Sequence, residues 1–283
     1  MLAVHKTYTK NQGVTFWSVI CVSFCPKLLK DTDMNMQTKI MLKSLITLLS
    51  VFALSANAVV IEVMPSSTDW GSGDGNSAIT DTVARSGNGS LELDGDRTRF
   101  FGLGNPFDPS SNIGKLSDLS DFSFEWLIAG SSLSDLGADY TPALRLHLWD
   151  GSQRSELIWE GAYNGTYGNT SRDTWYSSDF TDNFWQFQSG VGVTAIYDRG
   201  LDDWKGLYSA DAYISSISIG VGSSVGNNYK AFADNVSLQF TGNESRTFNF
   251  ETAASVVSAP ATATMLGLSL LTLLIRTKRK AKA

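Results

Sequence analysis

The chain has 283 residues, with 22 Lys and Arg against 28 Asp and Glu, 42% hydrophobic residues and two cysteines. The net charge of −6 hides an uneven distribution: residues 59–258 hold 26 Asp and Glu against 11 Lys and Arg, a net of −15. So acidic a stretch is a poor partner for nucleic acid, whose phosphates need Lys and Arg. It suits a soluble surface domain that attracts divalent cations, and its two hundred residues are enough for one domain with a sizeable core.

Residues 1–40 carry scattered charges and aromatics with no periodicity and no capping residue. The simplest account is a start codon placed too early, with Met34, Met36 or Met41 as the true start; a cytoplasmic extension is the alternative. Met41-Leu-Lys43 then opens a charged n-region, Ser44 to Ser55 forms an apolar h-region, and Ala56-Asn57-Ala58 is an A-x-A site. Residues 41–58 read as a secretory signal, cut by signal peptidase between Ala58 and Val59. Both cysteines, Cys21 and Cys25, lie upstream of that cut. Their spacing has no matching second pair, so a zinc site is not expected. The exported domain must hold together by core packing or a metal, without disulfides.

From Val59 onward, short runs rich in Val, Ile, Phe, Tyr and Trp alternate with clusters of Gly, Asn, Asp and Ser, the pattern of strands and turns. Val59–Val63, Ser90–Asp94, Arg99–Leu103 and Phe122–Ile128 are the first expected strands. Asp94-Gly95-Asp96 suits a hairpin turn or a cation site equally. Ala143–Trp149 sets Leu144, Leu146 and Leu148 on one face and Arg145, His147 and Trp149 on the other. With Glu156–Glu160 it predicts a hairpin closed by Asp150-Gly151-Ser152. Further runs follow at Phe184–Phe187, Ala210–Ile214, Ser216–Gly220, Ala231–Phe240 and Thr247–Phe250. About ten short strands with no long helical period predict an all-β domain over 59–251, an antiparallel β-sandwich of jelly-roll or Greek-key type.

Residues 252–260 read as a linker ending in the Ser258-Ala259-Pro260 motif. Residues 261–283 read as a membrane anchor with a basic tail. No residue from Ala261 to Ile275 is charged, and Arg276, Lys278, Arg279, Lys280 and Lys282 follow. Fifteen residues at about 1.5 Å each span roughly 22 Å, a short crossing of the bilayer's hydrocarbon. The basic cluster stays cytoplasmic by the positive-inside rule, leaving the domain outside.

The order of these parts, Val257-Ser-Ala-Pro260-Ala-Thr262 followed by Leu266-Gly-Leu268 and a basic end, resembles the PEP-CTERM sorting signal of Gram-negative bacteria. Ser-Ala-Pro stands where that family carries Pro-Glu-Pro. The resemblance implies recognition by an exosortase-like processing enzyme, and either a tether to the inner membrane or sorting to the cell surface or extracellular matrix. A second, shorter likeness lies at Ala231-Phe-Ala-Asp234-Asn-Val-Ser-Leu, which resembles the final strand of secreted jelly-roll domains, carbohydrate-binding modules among them. It implies a structural calcium held by Asp234, with Glu62 of the first strand as a second ligand.

The aromatic loop Tyr163–Tyr176 is the candidate glycan surface, with Tyr163, Tyr167, Trp175 and Tyr176 as contacts. Flat rings stack on sugar faces, and the neighbouring Asn and Asp residues suit sugar hydroxyls. Carboxylates are plentiful but no pair stands out as a glycosidase couple. His147 is the only histidine after the signal, and no Gly-x-Ser-x-Gly elbow is present. The expectation is therefore an exported, surface-sorted, non-catalytic β-sandwich associated with the envelope or an extracellular polysaccharide matrix. The alternatives are a carbohydrate-binding module with calcium and, more weakly, a glycoside hydrolase or lyase.

Overall fold

A computed structural model describes residues 59–254, apart from 138 and 244. Ala58 of the cleavage site, the motif Ser258-Ala259-Pro260 and the apolar span lie outside the described residues. Among the described residues no helix is long and apolar enough to cross a membrane.

The domain is all-β. Its thirteen described strands are β1 (Val59–Val63), β2 (Trp70–Thr80), β3 (Ser90–Gly102), β4 (Gly114–Lys115), β5 (Leu119–Ile128), β6 (Ala143–Asp150), β7 (Gln153–Trp159), β8 (Tyr176–Ser177), β9 (Phe184–Gln188), β10 (Gly192–Arg199), β11 (Tyr213–Gly220), β12 (Lys230–Phe240) and β13 (Arg246–Phe250). One short helix, α1 (Leu201–Lys205), interrupts them after β10.

Hydrogen bonding links the thirteen described strands into one sheet, because β3 pairs with both β12 and β11, and β2, β4, β5 and β8 branch from the main path. The first half of β3, Leu91 to Asp94, pairs with β12; its last residues, Arg99 to Gly102, pair with β11. Beyond β12 lie β5 and then β8, with β13 and β1 continuing beside the far end of β12. Beyond β11 run β6, β7, β9 and β10 in order. The two layers meet through aromatic side chains. Phe124 of β5 meets Trp159 of β7 edge-on at 5.2 Å, and Phe122 lies 6.3 Å from Phe184 of β9. Leu144, Leu146, Leu148 and Trp159 fill the same interior, each at most 1% exposed. Burying such side chains stabilises the fold by about 1.5–3 kcal/mol apiece.

Three features depart from the sequence expectation. The sheet is mixed, not wholly antiparallel: β1 runs parallel to β13, Val59 opposite Arg246 through Val63 opposite Phe250. Parallel neighbours need a long crossover, and here the rest of the domain supplies it. Secondly, Asp94-Gly95-Asp96 is no hairpin turn but the interior of β3. Gly95 takes φ +87, a left-handed value open to glycine, where the strand leaves one layer for the other. Thirdly, residues 210–212 of the expected strand Ala210–Ile214 lie in a turn, and its last two residues join Ser216–Gly220 in one strand, β11, with a bulge between Ile214 and Ser216. The expected β6–β7 hairpin is present, with Asp150 opposite Gln153 and Gly151 at φ +59.

Candidate functional site

The aromatic segment between β7 and β9 is divided among several neighbours. Tyr163 stacks on Tyr197 of β10, ring centroids 4.4 Å apart, and Tyr176 stacks on Trp126 of β5 at 5.0 Å. Trp175 packs against the small apolar cluster of Leu127, Ala129 and Phe232 and lies under Arg85. Tyr167 alone of the four is largely exposed, at 48%.

Asp234 and Glu62 sit near the β12–β13 junction. Asp234 is fully buried, and its Oδ1 accepts the Phe250 N–H at 2.9 Å and the Asn235 N–H at 2.8 Å. Burial raises its carboxyl to about 6, against the pull of those hydrogen bonds and with help from the nearby Glu251 charge. The next residue, Asn235, takes φ 48, where the β12–β5 register shifts between Asp234 and Ser237. Glu62 lies on β1 opposite Asn249. No group of three or more His, Cys, Asp or Glu stands at metal-holding distance among the described residues.

The outward face of β6 carries a charged network. Arg145 and His147 alternate with the core leucines, as their spacing predicts, yet they are only 1% and 2% exposed. Cross-strand register sets His147 beside Ser216 and Glu156, and Arg145 beside Ser218 and Ile158. His147 Nε2 and Ser218 Oγ are 2.9 Å apart, and Nδ1 lies 3.6 Å from Glu156 Oε1, too far for a good hydrogen bond. Burial lowers the imidazole pKa more than Glu156 raises it. Arg154 Nη1 donates to Glu156 Oε1 at 2.9 Å. Burial opposes ionisation of Glu156, but His147, Arg145 and Arg154 hold its carboxyl well below the usual range.

Arg145 is the least satisfied member. Its Nη1 reaches only the Ala143 carbonyl at 3.5 Å, and its Nε has no hydrogen-bond partner. Burial lowers the guanidinium pKa, while Glu160 and Glu156 favour the charge. Its positive charge joins burial in lowering Arg99 to about 9. Because Arg145 and His147 are sealed from solvent, a diffusing substrate cannot touch them. The network ties β3, β6, β7 and β11 together, and Arg154 and Glu156, with side chains 16% and 14% exposed, are closer to solvent than Arg145 and His147.

The inner face is different where β7, β9 and β10 run out from under the opposing layer. Trp159 and Phe184 form a buried pair in the core. One step along, Leu157 is followed by Gln186 and Thr194; one step further, Ser155 is followed by Gln188 and Gly192. A groove of about 360 Å³ opens there, flanked by Tyr208 and rimmed by Ile196 and Leu207. Thr194 Oγ1 donates to Gln186 Oε1 at 2.8 Å, Gln186 Nε2 donates to Tyr208 Oη at 2.6 Å, and Ser155 Oγ lies 2.8 Å from the same phenol. Sequence reasoning missed this groove. The signal was the pair of glutamines in Phe184-Trp-Gln-Phe-Gln188, at inward positions of a strand that begins in the core.

No family model matches the chain, and no curated protein matches it in sequence.

Proposed function

We propose that the chain is an exported, surface-sorted, non-catalytic β-sandwich protein associated with the cell envelope or an extracellular polysaccharide matrix. On this reading the sandwich is of jelly-roll or Greek-key type. Signal peptidase removes the segment up to Ala58, and an exosortase-like enzyme reads the Ser258-Ala259-Pro260 tail. Until that step the apolar span after Ala261 tethers the domain to the inner membrane.

The observation that carries this reading is the position of the acidic domain between two address segments. The net charge of −15 over 59–258 is set between the apolar stretch before Ala56-Asn57-Ala58 and the basic tail from Arg276. One further point supports it. The described domain packs a continuous aromatic and aliphatic core with no cysteine in it, as suits a domain stable outside the cell without disulfides. Carbohydrate binding, with or without calcium, is the second reading, and the polar groove on the inner face favours it.

Fractionation of cells producing the full chain tests the proposal. The protein is expected in the membrane, surface or matrix fractions and to co-sediment with the cells' own extracellular polysaccharide. Recovery in the cytoplasm alone would overturn the reading.

A further inference from the structure

We infer that the groove between β7, β9, β10 and Tyr208 is a binding site for an uncharged, hydroxyl-rich polysaccharide segment. The inference rests on the matrix association proposed above and gives it a location.

The core pattern breaks at this groove. A sandwich strand carries apolar residues on its inward face, and β7 and β9 begin that way with Trp159, Leu157 and Phe184. On the same face the chain then places Ser155, Gln186, Gln188 and Thr194. Sequences depart from local rules of this kind mainly at functional sites.

The chemistry of these groups selects the ligand. Hydroxyls and primary amides both donate and accept hydrogen bonds, as sugar hydroxyls do. Three of them are already ordered by the chain Thr194 to Gln186 to Tyr208, so little side-chain freedom is lost on binding. Each keeps spare capacity: Gln186 has a second N–H, and Thr194 a free lone pair. The Gln188 amide makes no hydrogen bond among the described residues. Ile196 and Leu207, the latter 59% exposed, provide an apolar rim for the C–H face of a sugar ring.

Charge excludes the other polysaccharides. Among the described residues, the only charged one lining the groove is Asp150, whose carboxylate already accepts Ser209 N–H at 3.0 Å and Ser209 Oγ at 2.5 Å. No cation lines it among the described residues, and the surrounding domain is strongly acidic, so uronate- or sulfate-bearing chains are repelled.

Native affinity electrophoresis of the purified full chain tests this. The gels contain dextran, galactomannan or xyloglucan as uncharged probes and alginate as the anionic one. The wild-type chain is expected to be retarded by at least one uncharged probe and not by alginate. Gln186→Ala and the near-isosteric Thr194→Val are each expected to weaken that retardation at least tenfold, with unchanged thermal midpoints. Leu136→Ala, on an exposed loop outside the groove, should leave it intact. Retardation that survives Gln186→Ala and Thr194→Val, or a preference for alginate, would overturn the inference. Failure of all uncharged probes would overturn it too. Co-sedimentation with native matrix would in that case still stand for the broader reading, whereas loss of both would remove the two together.

Discussion

Asp234 is the residue at which burial and charge compete most openly. An aspartate in an unfolded chain titrates near 4, whereas this carboxyl is raised to about 6, chiefly by burial. Between those values the folded protein holds a proton that the unfolded chain has released. Its contribution to stability is therefore full below about pH 4 and declines as the pH rises to about 6, by up to about 3 kcal/mol. The Arg85–Glu125 ion pair packed beside it works in the other sense. Burial opposes the Glu125 charge, but Arg85 and Asn235 hold the carboxyl below its ordinary range, so that its contribution is present above the ordinary glutamate range and lost as the pH falls below it. Asp234→Asn should remove the decline between pH 4 and 6. Urea denaturation at pH 4 and pH 7 is expected to show wild type losing stability relative to the variant across that interval. In the β6–β7 network, Glu156→Ala strands Arg154 and Arg145 without their shared carboxylate. It is expected to cost about 3 kcal/mol, the scale of breaking a buried pair, read in the same denaturation assay.

At the scale of elements, the long strand β3 joins the two layers, and Gly95 is its joint. At φ +87 an alanine pays for a left-handed backbone, while its Cβ meets nothing closer than Asn227 O at 3.6 Å. Gly95→Ala should therefore cost about 1–2 kcal/mol through backbone strain alone. Gly71→Ala on the edge strand β2, where φ is not positive and nothing lies within 4 Å, should be neutral or slightly stabilising. Thermal unfolding of the two variants side by side checks the contrast. These strands also mark how far the sequence was legible. Alternation exposed β5 and β6 because Phe122, Phe124 and Trp126, like Leu144, Leu146 and Leu148, recur at period two. Strand β2, Trp-Gly-Ser-Gly-Asp-Gly-Asn-Ser-Ala-Ile-Thr, was hidden because nearly every residue favours turns; pairing along β3 overrides that preference. The joint at Gly95 read as a turn because Asp-Gly is a turn dipeptide, and only the change of partner from β12 to β11 gives it another role.

For the whole molecule, an acidic sandwich is held by its core and by buried polar junctions, with both cysteines upstream of the domain. The charged network on the outward face of β6 was half visible in sequence. The spacing put Arg145 and His147 opposite the leucines, but not their burial, which depends on Arg99, Glu156 and Ser218 arriving from three other strands. The inner groove was less visible still, because it depends on where the opposing layer stops. The two proposed address segments, by contrast, rest on local sequence and need no fold to be read. The most direct test of the account is mass spectrometry of the protein recovered from the cell surface or matrix, read for its first residue. The account predicts a mature form beginning at Val59; a protein that retains peptides from upstream of Ala58 contradicts it.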